Sequence, residues 1–126
     1  LAIGAAVIEP DSQIIAISGD GSIELNIQEL QTINLNNLNI KIVVINNGGY
    51  ASIRDSQDAM CGGRYTDDSQ ILNFKKIADA FGLDFEIIQD YKNIKTAMQE
   101  VLSNNRPAII EVVCDDSQYM IQPTKE

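Results

Sequence analysis

The chain has 126 residues, 44% of them apolar, which suits a single globular domain with a sizeable buried core. Its formal net charge of −9 speaks against nucleic acid or an anionic membrane surface as partner, because both are held by clustered Lys and Arg. Histidine is absent, which excludes a Ser-His-Asp triad, a His–Cys pair and a histidine-bound metal.

No apolar run approaches the length of a membrane span. Cys61 and Cys114 have neither metal nor redox spacing. Both are expected to be reduced thiols in a cytoplasmic protein.

In chain order, the segment from Leu1 to Ile8 reads as a helix without an N-cap residue. It starts in mid-pattern, so the chain is expected to be a piece of a longer polypeptide. Glu9-Pro10-Asp11-Ser12 turns into a first β-branched run, Ile14-Ile15-Ala16-Ile17, which stops at Gly19-Asp20-Gly21-Ser22. Ile23, Ile27 and Leu30 recur at helical spacing. A second run, Ile40 to Ile45, stops at Asn46-Asn47-Gly48-Gly49-Tyr50. This is a strand–helix–strand unit, and its crossover makes the strands parallel.

Beyond it, Tyr50 to Gln57 suits a short helix with Ile53 as its main apolar contact. Asp58 to Gln70 reads as a loop, in which Asp67 and Asp68 form a solvated carboxylate pair. Phe74, Ile77, Ala78 and Phe81 share one helical face ahead of a capping Gly82. Asp84 to Ile88 reads as a third strand. Ile94, Ala97, Met98, Val101 and Leu102 mark another amphipathic helix, and Ala108 to Val113 a fourth strand. Residues 117–126 read as a linker or tail. The expected fold is a single α/β domain over residues 1–126, a three-layer α/β/α sandwich around a mainly parallel sheet.

Parallel strands leave Asp20 and Asn47 at the same carboxyl-terminal sheet edge, where open α/β sheets place their ligands. Asp20 offers a carboxylate, Asn47 an amide oxygen and Gly49 a main-chain carbonyl. These hard oxygen donors suit Mg²⁺, which keeps open positions for phosphate oxygens and water. Gly21 and Ser22 open the next helix with their N–H groups toward an anion, and glycine allows it close approach. A magnesium diphosphate fits both halves. A surface Gly-Asp-Gly turn and an unrelated Asn-Asn turn are the bland alternative.

Gly19-Asp20-Gly21, 24 intervening residues (22 to 45) and Asn46-Asn47 resemble the signature of thiamine-diphosphate-dependent enzymes. The surrounding text, including Gln28-Glu29-Leu30, Phe74 to Gly82 and Pro107 to Val113, resembles the C-terminal cofactor domain of the acetolactate synthase group. The resemblance implies that Asp20, Asn47 and the Gly49 carbonyl hold Mg²⁺. It implies further that Gly19, Gly21, Ser22 and Tyr50 join them around thiamine diphosphate, with Ile53, Arg54 and Gln57 lining a substrate pocket. Arg54 would meet a substrate carboxylate; the competing view packs Ile53 in the core and leaves Arg54 solvated.

The implied reaction is decarboxylation of a 2-oxo acid followed by carboligation. The alternatives are another decarboxylase or carboligase, such as one in surface-sugar metabolism, or a non-catalytic module that binds Mg-diphosphate. Acetolactate synthases usually carry a Met-Val-x-Gln-Trp-Gln-like run where this chain has Ser52-Ile53-Arg54-Asp55-Ser56-Gln57, and no tryptophan occurs anywhere. In the family the glutamate that activates the cofactor's aminopyrimidine comes from another domain across a subunit interface. This chain is therefore expected to carry no catalytic residue, to be inactive alone, and to work as a homodimer or homotetramer with its missing domains.

Overall fold

The computed structural model describes residues 1–65 and 72–115. The expectations for Asp67, Asp68 and the tail at 117–126 lie outside the described residues. Four strands, β1 (Ile14–Gly19), β2 (Ile40–Asn46), β3 (Asp84–Ile88) and β4 (Ala108–Val113), form one sheet in the order β1-β2-β4-β3. Every neighbouring pair is parallel, as the crossover argument requires.

β2 sits inside the sheet, which explains its β-branched run, interrupted by Lys41 alone between Ile40 and Ile45: both of its faces are covered. Ile40, Ile42 and Val44 point to one side, with Ile23, Leu30 and Ile33 from α2 (Asp20–Glu24) and α3 (Glu29–Leu35). Ala6 of α1 (Ala2–Ile8) and Phe74 and Ala78 of α5 (Phe74–Phe81) complete that layer. Val43 points to the other side with Ile88 and Ile110, under Ala97, Met98 and Val101 of α6 (Ile94–Leu102). Helices on both faces make the three layers expected from the pattern. Gly82 closes α5 at φ 70° as its sequence suggests, and the structure adds an N-cap: the Asn73 side chain accepts from Lys76 N–H at 2.9 Å.

Two expectations change. The helix expected after Gly21 is two short helices, joined by turns in which Asn26, Glu29, Leu30 and Gln31 donate to the carbonyl three residues back. Three residues per turn stack Ile27 and Leu30 on one side, so both still reach the core. The helix after the Asn-Asn turn, α4 (Ala51–Cys61), also runs past its expected end into the segment read as a loop, and closes at Gly62 with φ 69°. Cys61 therefore ends a helix rather than sitting in a loop; both cysteines are free thiols.

The amino-terminal edge of the sheet hides a lysine. Lys41 on β2 is wholly buried, and its Nζ donates to Asn104 Oδ1 at 3.2 Å and to the Arg106 carbonyl. Arg106 in turn pairs with Asp84 at 2.7 Å. Burial pushes the Lys41 ammonium below the ordinary lysine value, with Asp84 opposing the shift and Arg106 adding to it.

Candidate functional site

β1 and β2 end side by side, with Gly19 level with Ile45, so Asp20 and Asn46 leave the sheet as neighbours. Asp20 is only 4% exposed. Its Oδ1 accepts from Gly21 N–H at 2.8 Å and its Oδ2 from Gly49 N–H at 2.7 Å. Among the described residues no Lys or Arg pairs with it. A carboxylate so buried, with no cationic partner among the described residues, is suited to meet a bound cation.

The loop that reaches back to Asp20 needs glycine. Gly48 and Gly49 take φ of 82° and 113°, a region that side chains rarely adopt. Its main-chain groups are gripped from several directions. Asn46 Oδ1 accepts from Gly48 N–H at 3.2 Å, and Asn46 Nδ2 donates to Glu111 Oε1 on β4 at 2.6 Å. Arg54, one turn into α4, donates from Nη1 to the Gly48 carbonyl at 2.7 Å and from Nη2 to the Asn47 carbonyl at 2.8 Å. The Gly49 carbonyl accepts from Ala51 N–H at 3.0 Å, which leaves it a second lone pair. Asn47 is half-buried in the same loop.

Among the described residues no group of three His, Cys, Asp or Glu comes together. A cation here would rest on one carboxylate helped by amide and carbonyl oxygens, the pattern of a Mg²⁺ that shares its shell with phosphate and water.

The family model described as "Thiamine pyrophosphate enzyme, C-terminal TPP binding domain" matches residues 1–112. The chain belongs to this family. Relatives of the thiamine-diphosphate-binding domain include the acetolactate synthase large subunit of Porphyra purpurea, 33% identical over 98% of this chain and 22% of its own length. The acetolactate synthase isozyme 1 large subunit of Escherichia coli is 33% identical over 90% of this chain and 21% of its own length. A solved structure, the thiamine diphosphate-dependent 4-hydroxybenzoylformate decarboxylase of Rhodococcus jostii RHA1, superposes with a TM-score of 0.83 at 27% identity. That match covers 92% of this chain and 23% of the other. The chain thus spans about a fifth of the length of the curated relatives it matches.

The structure brings Gly19, Asp20, Gly21, Asn47, Gly49 and Tyr50 of this thiamine-diphosphate-binding domain together at one sheet edge, with Ser22 exposed in the first turn of α2. Gly21 has a packing role that the sequence did not suggest. The Tyr50 ring lies against it, so a Cβ there would stand 2.6 Å from Tyr50 Cε1, and the Tyr50 hydroxyl donates to the Gly21 carbonyl at 3.2 Å. The missing side chain makes room for a tyrosine ring.

α4 also inverts the usual pattern. Ile53 is 46% exposed, against its expected role as the helix's main apolar contact, whereas Arg54 is 6% exposed and turned onto the loop. Gln57 Oε1 accepts from Tyr65 N–H at 2.9 Å. Asn46 was read as part of the signature text without a role of its own, and the partnership with Glu111 was not read from the sequence. A carboxylate inside an otherwise apolar strand, Ala108 to Val113, was the one signal that pointed to it.

Proposed function

We propose that this domain holds Mg²⁺ and the diphosphate of thiamine diphosphate in an acetolactate synthase-like enzyme that decarboxylates a 2-oxo acid and ligates the product to a second carbonyl compound. The observation that carries the reading is Asp20, a buried carboxylate with no described cationic partner, held by Gly49 N–H at the carboxyl-terminal sheet edge. Asp20, the Asn47 amide oxygen and the second lone pair of the Gly49 carbonyl would hold the metal, whose remaining positions suit diphosphate oxygens and water. Gly19 and Gly21 keep the chain close at that edge, and Ser22 would meet the diphosphate from the first turn of α2.

When bound, thiamine diphosphate supplies the nucleophilic carbon and the electron sink that the reaction needs. Ile53 and Gln57 on α4 would border the substrate. The aminopyrimidine-activating glutamate would come from another domain, so the domain alone would be inactive. The working form would be a cytoplasmic homodimer or homotetramer. Two features support the second reading, decarboxylation without ligation: the Ser52-to-Gln57 run lacks the synthase-like text, and the superposing structure is a decarboxylase.

The test incubates the full-length protein with thiamine diphosphate, Mg²⁺ and pyruvate, followed by NMR. Acetolactate that disappears in Asp20→Ala supports site and reaction together. Acetaldehyde in its place selects the second reading. A full-length Asp20→Ala protein that binds cofactor and metal as the wild type does would overturn the site.

A further inference from the structure

We infer that Arg54 is the positioning residue of the metal loop, aiming two consecutive peptide units so that the Asp20 carboxylate is set before any ligand arrives. The inference rests on the thiamine-diphosphate reading of the site and adds to it a residue outside the proposed ligand set.

The geometry follows from peptide planarity. In a trans peptide the C=O and the next N–H point in opposite directions, and no described peptide is cis. The Asn47–Gly48 unit has its C=O on Arg54 Nη2 at 2.8 Å, so its N–H is thrown to the other side, where Asn46 Oδ1 takes it at 3.2 Å. The Gly48–Gly49 unit has its C=O on Arg54 Nη1 at 2.7 Å, which throws its N–H onto Asp20 Oδ2 at 2.7 Å. One guanidinium therefore fixes the outer side of both units, and Asn46 and Asp20 the inner side.

Glycines at φ of 82° and 113° have no side chain to hold such planes by themselves. A planar fork with parallel N–H groups holds two neighbouring carbonyls in one fixed geometry; an ammonium can bond two acceptors but imposes no such plane on them. Helix geometry brings the fork there. Long side chains in a helix lean toward its N-terminus, and Arg54 stands one turn into α4, whose start adjoins the loop. Desolvating a guanidinium is costly, so its burial to 6% on main-chain acceptors marks a position that the loop needs.

A positioning role and a substrate-carboxylate role separate in binding experiments without substrate. The full-length protein, its Arg54→Met variant and its Arg54→Lys variant are titrated with thiamine diphosphate at fixed Mg²⁺ by calorimetry. Mn²⁺ then replaces Mg²⁺ for electron paramagnetic resonance of the bound ion. Loss of a residue that orients metal ligands weakens metal affinity about 10- to 100-fold, and Arg54→Met is expected to weaken cofactor binding by that factor. Arg54→Lys should fall between it and the wild type, and the bound-Mn²⁺ spectrum should change in both. A folded variant with wild-type cofactor affinity and an unchanged Mn²⁺ spectrum overturns the inference. A residue that merely supports the fold would lower the unfolding midpoint of the apo-protein and leave that spectrum alone. If Arg54→Met does not fold, Arg54→Lys decides by the same two readouts. Wild-type protein that binds no thiamine diphosphate sinks the functional reading itself, a result distinct from failure at Arg54.

Discussion

Replacing Asp20 by Asn separates what the carboxylate does for the fold from what it would do for a metal. In the wild type its two oxygens accept from Gly21 N–H at 2.8 Å and Gly49 N–H at 2.7 Å. An amide can serve only one of these, and its NH₂ then faces the other N–H. The cost of that unsatisfied buried donor is about 1–3 kcal/mol. Neutralising a carboxylate that is 4% exposed and has no described cationic partner works the other way, so the net loss of apo stability should sit near the low end, about 1 kcal/mol.

Ligand-linked stability should respond far more. A ligand at a hundredfold its Kd stabilises the folded state by about 2.7 kcal/mol. With Asp20 as the charged metal ligand, that whole increment vanishes in Asp20→Asn. The assay is denaturant unfolding of wild type and variant, each with and without thiamine diphosphate and Mg²⁺. A variant that is close to wild type without ligand but gains nothing from it confirms the role. A variant that keeps the ligand-induced gain refutes it, and the buried carboxylate would then be a loop fastener only.

Gly21→Ala should destabilise the domain by about 1 kcal/mol net: forcing the Tyr50 ring off the new Cβ costs about 1–3 kcal/mol, offset by about 1 kcal/mol of helix propensity. In a Tyr50→Ala background the same substitution should turn neutral or stabilising, a sign reversal that a double-mutant cycle in denaturant detects. Lys41 makes stability depend on pH. Its folded-state pKa lies below the unfolded value, so above the lowered value the unfolded chain binds more protons and stability rises with pH. The rise should begin as pH passes through the lowered value, level off only above the ordinary lysine value of 10.5, and disappear in Lys41→Met, as unfolding midpoints measured across alkaline pH would report.

The candidate site was legible where chemistry and local pattern coincide. Gly19-Asp20-Gly21 and Asn46-Asn47 each close a β-branched run, and such runs declare strands whatever they pair with. Parallel pairing then followed from the length of the crossover, and with it the meeting of Asp20 and Gly49 at one edge. The split between α2 and α3 was not legible, because Ile23, Ile27 and Leu30 satisfy both a continuous helix and one interrupted by tighter turns. The length of α4 was missed for a related reason: a helix whose inward face is not apolar leaves no periodic signal.

The sequence by itself determined most element types, the parallel sheet, the Gly82 cap of α5 and which oxygen-bearing residues, Asp20, Asn47 and Gly49, stand at one sheet edge. Those are consequences of local geometry and of a residue's own chemistry. Only the tertiary structure decided which polar groups turn inward. Arg54 points in and Ile53 out because main-chain carbonyls, not apolar surface, await that face of α4. Glu111 is buried because Asn46, 65 residues earlier, arrives beside it, and Lys41 because Asn104 and Arg106 close over it. A buried charge is set by partners distant in the chain, and no periodicity carries their address.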